Sequence, residues 1–333
     1  MTKKFYRFSA FSLLLSLVVA VVVSALPPRE SYMAVEKDGY IKWVDFNVTY
    51  QAMSDCLKYD IATHGTENHA NWIDLLAILA SRGSGNFKGY KSSDLSKITD
   101  EIKNGKKVEE ISKDLKSFPY YKEAYTAVLS GFVGEYEIER EDGTYEKKYG
   151  LKAFSPIAKG YSYSHFDDFG ASRSYGFRRK HLGHDMMGSV GTPIIAVESG
   201  YVESVGWNQY GGWRIGIRSF DKKRYYYYAH LRRDHPYNDM YEGKIVTAGD
   251  VIGYLGMTGY STKENVNNID TPHLHWGMQL IFDESQKDAL AEIWIDVYAI
   301  TRLLEQNRSA VVKNEAEKEY YRKFEMFESF LEK

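Results

Sequence analysis

Three stretches in the second half of the chain hold side chains that could bind a metal ion. They are RRKHLGHDMMGS with His181 and Asp185, RYYYYAHL with His230, and TPHLHWGMQL with His273 and His275. Imidazole and carboxylate are the ligands expected of a catalytic zinc in a protein without usable thiolates. The chain has one cysteine, Cys56, which excludes both an internal disulfide and a Cys-rich zinc knuckle. We expect Cys56 to pack as a small apolar residue.

The segment HLHWGMQLIF has the short length and the aromatic and β-branched residues of a strand. Residues i and i+2 of a strand point to the same face, so His273 and His275 should project together and Leu274 to the other side. Two such imidazoles could share one metal, or one could bind the metal while the other serves a bound water. Two unrelated histidines are the alternative at this point.

In RRKHLGHDMMGS, a helix would place His181 and Asp185 on one face, but Gly183 and Gly188 favour a loop that wraps around a site. His184 lies in the same stretch and could be the ligand instead of His181.

In RYYYYAHL, read as a strand, Tyr226, Tyr228 and His230 share one face, and Tyr225, Tyr227 and Ala229 share the other. One set could line a groove while the other packs the core. A buried, hydrogen-bonded structural histidine is the alternative for His230.

Taken together, H-x-x-x-D, Y-x-H-L and H-x-H follow one another in the order of the lysostaphin and LytM-type zinc endopeptidases, which this chain resembles over about residues 154–280. FGASR at 169–173 resembles the family's Phe-Gly-x-Arg segment. GTPIIAVESGYV and AGDVIGYLGMTGYST resemble its glycine-rich turns and strands. Two departures are the inserted KENVNNID at 263–270 and Trp276-Gly277 in place of a frequent Phe-Glu.

This resemblance implies one Zn²⁺ held by His181, Asp185 and His275, with His230 and His273 assisting the reaction and His184 in a variable position. It further implies that zinc, which lowers the pKa of a bound water to about 7, activates that water to attack a peptide carbonyl. The implied substrate is the peptide part of bacterial cell-wall peptidoglycan. Four aromatic side chains are candidates for groove walls, with core packing as the alternative: Tyr210, Trp213, Tyr226 and Tyr228.

Two other functions are possible from the sequence. The domain could be an inactive LytM-like relative that binds wall peptides or a partner protein, although all five polar positions are present. Glu67, just before a predicted helix, could act as a lysozyme-like acid, but no partner carboxylate stands at a recognisable position. We therefore interpret Glu67 as a solvated residue.

The surrounding pattern predicts an α+β protein. Helical periodicity in NWIDLLAILASRG and three further segments predicts a small all-α domain over 43–134. Asp142-Gly143 predicts a hairpin linker over 135–153. Short β-type runs predict a mainly antiparallel, LytM-like β-sandwich with a C-terminal helix as the zinc peptidase domain over 154–305. A charged helix or tail would close the chain over 306–333.

The first 29 residues predict a membrane segment. MTKKFYR precedes an uncharged apolar run over 8–26, which should cross a bacterial cell membrane once. The N-terminus should then stay cytoplasmic and the catalytic domain lie outside the cell. Cleavage near Ala25, giving a secreted protein, is the alternative. A formal charge of −2 gives no electrostatic case for nucleic acid. The sequence identifies no protein partner.

Overall fold

The computed structural model describes residues 40–175, 177–287 and 291–328. The chain divides into the units Met1–Ile41 and Lys42–Lys333, and everything below concerns the second unit. The predicted membrane segment over 1–29 lies outside the described residues. Among the residues that are described, no helix combines the length and the apolar character needed to cross a membrane.

The helical region begins after Thr49, whose side chain accepts a hydrogen bond from the first turn of the first helix. The described helices before the sheets are α1 (Tyr50–Thr63), α2 (Trp72–Gly83), α3 (Ser92–Lys103), α4 (Val108–Ser112) and α5 (Phe118–Leu129). In α2 the apolar residues predicted to share a face are buried, and Asn71 caps Ile73 N at 2.9 Å. Cys56 is buried in α1, as predicted, and Glu67 lies exposed in the turn before α2.

The rest of the described chain is mainly antiparallel β structure. Its strands are β1 (Val133–Glu139), β2 (Tyr145–Leu151), β3 (Ser164–Phe166), β4 (Ser172–Tyr175), β5 (Phe177–Lys180), β6 (His184–Met187), β7 (Pro193–Ile195), β8 (Gly200–Asn208), β9 (Gly212–Ser219), β10 (Arg224–Ala229), β11 (Ile245–Val246), β12 (Val251–Tyr254), β13 (His273–Leu280), β14 (Ile293–Ile295), β15 (Val311–Asn314), β16 (Glu319–Arg322) and β17 (Met326–Phe327). A short helix, α6 (Tyr298–Leu304), follows β14.

One eight-stranded sheet carries the three motifs. Its strands lie in the order β11-β8-β9-β10-β13-β6-β3, with β14 also paired to β13. In this sheet His275 lies opposite Ala229 of β10 on one side and Asp185 of β6 on the other. The register therefore places H-x-H between the other two motifs, although these come from distant parts of the sequence.

The helices are not separated from the sheet as an independent domain. Arg224 of β10 donates from Nη1 to the carbonyl oxygen of Ala127 in α5 at 2.7 Å, and from Nε to Glu198 Oε2 at 2.8 Å. This ion pair is buried and joins the end of the helical region to the sheet. The positions predicted for the helices are right, but the region 43–134 packs into one unit with the β structure.

The sequence predicts a charged helix or tail over 306–333, but no helix forms over the described residues 311–327, where the chain forms β15, β16 and β17. These strands form because the segment is partly buried. Met326 belongs to a core cluster with Phe154 and Tyr254, and Tyr320 packs against that cluster. Strand β17 pairs with β1, so the predicted hairpin at Asp142-Gly143 is present but belongs to a three-stranded sheet. Beside the large sheet, the described residues form this sheet and three two-stranded ones.

Candidate metal centre and groove

Three predicted ligands converge on one point of the large sheet. His181 Nε2 lies 2.8 Å from His275 Nδ1 and 3.0 Å from Asp185 Oδ1, and His275 Nδ1 lies 2.9 Å from the same oxygen. Asp185 and His275 sit in paired strands, whereas His181 lies in the loop after β5. The loop prediction for this stretch is thus right at His181 and wrong for 184–187, which form β6.

This donor set fits a metal ion such as zinc. The three side chains are buried or nearly so, and the ligand atoms lie within 4.8 Å of one another. Burial alone would raise the pKa of Asp185, but hydrogen bonds from His181 and His275 hold that pKa well below its usual range. A charged carboxylate and two imidazoles crowded together present lone pairs that a single cation can satisfy at once.

Asp168 and Arg173 contact the side chains of the centre without belonging to the three candidate ligands. Asp168 Oδ1 lies 2.7 Å from His181 Nδ1, an ion-pair contact rather than an aligned hydrogen bond. The Arg173 guanidinium lies 2.6 Å from Asp168 and 3.2 Å from Asp185. Outer carboxylates of this kind orient metal-binding histidines. Sequence reasoning missed Asp168, whose only signal is its place immediately before the Phe-Gly-x-Arg-like segment.

His230 and His273 face the centre with fixed tautomers. Nδ1 of His230 lies 2.9 Å from the Thr258 carbonyl oxygen, and Nδ1 of His273 lies 2.8 Å from that of Thr271. Because a carbonyl can only accept, both Nδ1 atoms carry the hydrogen, and Nε2 is the acceptor nitrogen whenever the ring is neutral. Burial and the neighbouring His273 lower the pKa of His230 well below its ordinary value, which favours the neutral ring.

His184 belongs to the other face of the sheet. Its Nε2 lies 2.8 Å from His165 Nδ1, and His165 Nε2 lies 2.7 Å from Glu305 Oε1. Burial, with His165 nearby, lowers the pKa of His184 to about 4. Of the two histidines left open by the sequence, the structure thus brings His181 to Asp185 and His275.

The backbone at Gly183 is shaped by the His275 ring. A Cβ atom at this position would lie 2.5 Å from the His275 Cε1 and Nε2 atoms and 2.9 Å from the Trp276 carbonyl oxygen. Real Cβ atoms do not approach so closely. Gly183 therefore lets the loop pass over His275 and bring His181 onto it.

A groove of about 670 Å³ runs past the centre. Tyr210 lines it, whereas Tyr226 and Tyr228 do not; these two follow the alternative for the four aromatic candidates, which is core packing. Both are fully buried in the core, where Tyr226 donates to Glu198 Oε2 at 2.5 Å and Tyr228 accepts from Val197 N at 3.0 Å. Tyr225 and Tyr227, from the opposite face of β10, line the groove instead.

The backbone at His230 explains this exchange of faces. His230 follows the last residue of β10 and has φ 62°, a left-handed conformation that is uncommon for a residue with a side chain. The strand alternation ends there, so His230 joins the groove together with Tyr225 and Tyr227.

Trp213 is also outside the described groove lining, against the prediction. It donates from Nε1 to Asn265 Oδ1 at 2.9 Å, and the Asp234 backbone nitrogen lies 2.8 Å from the same oxygen. Trp213 therefore anchors the inserted segment 263–270 rather than contacting the groove.

As a class, an antiparallel β domain with three converging side chains that could hold a metal ion, and two further histidines beside them, has the arrangement expected of a hydrolase. The profile of peptidase family M23 matches residues 179–288, and the chain carries a peptidase M23 domain there. This match contains every ligand and histidine of the site described above.

Relatives agree with this family. An L-Ala--D-Glu endopeptidase of Bacillus subtilis is 41% identical over 123 residues, 37% of this chain and 36% of that protein. The peptidoglycan DD-endopeptidase ShyC of Vibrio cholerae is 32% identical over 155 residues, 46% of this chain and 31% of its own length. The chain thus spans about a third of the length of these two curated relatives.

A solved structure shares the fold over most of the chain. It is a Ruminococcus gnavus protein assigned as a glycyl-glycine endopeptidase, lytM, with a TM-score of 0.53 at 22% identity. The likeness covers 80% of this chain and 91% of that one. The mainly antiparallel domain with its small helical region is therefore LytM-like, as the sequence predicts.

Proposed function

We propose that this chain is a zinc-dependent endopeptidase that hydrolyses peptide bonds in bacterial cell-wall peptidoglycan. The observation that carries the proposal is the convergence of His181, Asp185 and His275 beside two histidines, His230 and His273, whose Nδ1 atoms lie against backbone carbonyl oxygens. The peptidase M23 domain and the endopeptidases named among its relatives support the type of reaction and the substrate. With its predicted membrane segment, the protein would act on the outer side of the cell membrane.

In this proposal the five side chains have separate tasks. His181, Asp185 and His275 would hold zinc, which when bound supplies a Lewis acid and a water with a pKa of about 7. Nε2 of His230 or His273 would take a proton from the attacking water and, once protonated, would donate it to the leaving amine. The other histidine, in its protonated form, would stabilise the oxyanion through Nε2–H. Asp168 and Arg173 keep His181 and Asp185 in place.

A LytM-like domain that only binds wall peptides or a partner is less favoured. A binding domain has no need for two histidines held in one tautomer by backbone carbonyls next to three converging ligands. A hydrolase, in contrast, needs all five of these side chains: three to hold the metal and two for proton transfer.

Digestion of purified peptidoglycan tests the proposal. The purified chain, supplied with zinc, should release fragments with new amino termini that mass spectrometry identifies. His275→Ala should release none, and His235→Ala, which alters a half-exposed histidine on Glu319, should digest like the wild type. Unchanged peptidoglycan with the wild-type protein would contradict the proposed function.

A further inference from the structure

Beyond the metal centre, the groove is lined by more positive than negative side chains. Two of its cations are already neutralised, because Arg218 binds the carboxylate of Glu203 at 2.6 Å, and Lys287 lies 2.8 Å from Glu284 and 2.9 Å from Glu203. Arg179 and Arg214 also line the groove, and neither makes an ion pair in the part of the chain that the structure describes. The groove thus offers two uncompensated guanidinium groups.

Arg179 is held in place by aromatic rings. Its guanidinium carbon lies 4.9 Å from the centre of the Tyr210 ring and 5.0 Å from that of Tyr260. Its Nη1 atom is buried and, among the described residues, has no hydrogen-bond partner. A buried donor without a partner is costly, so a ligand atom that accepts from Nη1 would be favoured.

Arg214 is positioned from the neighbouring strands. Its Nη1 donates to Ser204 Oγ at 2.6 Å, and that oxygen lies 2.8 Å from the Tyr225 hydroxyl. Arg214, Arg179 and Tyr227 line the same groove. Burial raises the pKa of Tyr227, and the two arginines oppose that rise.

Tyr227 lines the groove together with these arginines and also lies close to the metal centre. Its ring lies 5.9 Å from the ring of His275. Arg179 and Arg214 line the same groove as Tyr227 and His275, so a substrate group bound at the arginines would belong to a peptide that also lies along the metal centre.

We propose that Arg179 and Arg214 form a carboxylate subsite, and that the substrate is a peptide with a free carboxylate that lies in the groove beside the metal centre. The inference rests on the proposed peptidase function and narrows its substrate class. A guanidinium is always charged, and its planar fork matches the two oxygens of a carboxylate. An oligoglycine segment has no such group and would leave both arginines unpaired.

The carboxylate could come from an acidic residue within the peptide or from a free C-terminus. Four synthetic peptides separate these sources: an Ala-Glu stem peptide, the same peptide with the glutamate carboxylate as an amide, the same peptide with an amidated C-terminus, and pentaglycine with an amidated C-terminus. We expect kcat/KM of the zinc-loaded protein to fall about 10- to 100-fold for whichever amide removes the recognised carboxylate.

Substitutions of the two arginines test whether they cause the preference for the carboxylate peptide. Arg214→Gln and Arg179→Gln should each lose most of the preference for carboxylate over amide. Arg178→Gln is the matched control, because this exposed arginine of the same strand binds Ser172 and is not among the described groove residues. Binding of the carboxylate peptide to metal-free protein, followed by calorimetry, should weaken in the same two variants.

Equal rates on all four peptides, or an undiminished preference in both variants, would overturn the carboxylate subsite and leave the peptidase proposal intact. A protein that cuts none of the peptides and no peptidoglycan, yet binds the carboxylate peptide through Arg214, would instead refute the peptidase function.

Discussion

Nε2 of His181 lies 2.8 Å from Nδ1 of His275, although 94 residues separate them in the sequence. The pairing of β6 with β13 sets this distance, because it places Asp185 directly opposite His275 and draws the loop before β6 over the H-x-H motif. The centre is thus a property of the sheet register, and changes that disturb the loop or its support should affect metal binding before they affect the fold.

Gly183→Ala should weaken zinc binding. The added Cβ would meet the His275 ring at 2.5 Å and a backbone oxygen at 2.9 Å, so the loop or the ring must shift. We expect zinc affinity, measured by competition with a chromophoric chelator, to fall at least about tenfold. Gly83→Ala is the control, since a Cβ there meets no atom within 4 Å. Equal affinity of both variants would refute the role given to Gly183.

Asp168→Asn should lower zinc affinity through His181. The carboxylate lies 2.7 Å from Nδ1 of His181 and carries a charge that an amide lacks. Outer carboxylates of metal-binding histidines are worth about 10- to 100-fold in affinity. The neighbouring Asp167→Asn makes a matched control. If zinc affinity is the same in both variants, Asp168 has no part in holding the centre.

Arg224→Met should destabilise the whole protein. Removing the arginine leaves Glu198 charged and buried and frees the Ala127 carbonyl oxygen, which breaks the connection between α5 and the sheet. Loss of one partner of a buried ion pair costs about 3–5 kcal/mol in the free energy of unfolding. Urea unfolding, followed by circular dichroism and tryptophan fluorescence, measures it.

Arg140→Met is the control for that experiment, because Arg140 pairs with Glu146 at the surface. The wild type should unfold in one transition by both probes, since helices and sheet form one unit. An Arg224→Met protein as stable as the control would contradict the structural role of this ion pair.

The local patterns in the sequence predict much of this structure. Three- and four-residue apolar spacing predicts α2, and strand alternation predicts that Leu274 of β13 is buried on the face opposite His273 and His275, as it is. These features depend on neighbours in sequence. The family resemblance adds the ligand set, which the structure brings together and which metal analysis has still to test.

The errors have long-range causes. Alternation along β10 predicts Tyr226 and Tyr228 in the groove, but the left-handed backbone at His230 reverses which face accompanies that histidine. The charged C-terminal segment looks helical alone, yet pairing with β1 turns its last part into a strand. Asp168 becomes visible only when the fold brings it to His181.

The most direct test of the central claim is to measure zinc content and turnover together in His275→Ala and His273→Ala. Plasma mass spectrometry of the purified proteins gives the zinc per chain, and peptidoglycan digestion gives the activity. We predict that His275→Ala loses both, whereas His273→Ala keeps most of its zinc and loses turnover. Equal zinc loss in the two variants, or full activity without zinc, would contradict the assignment.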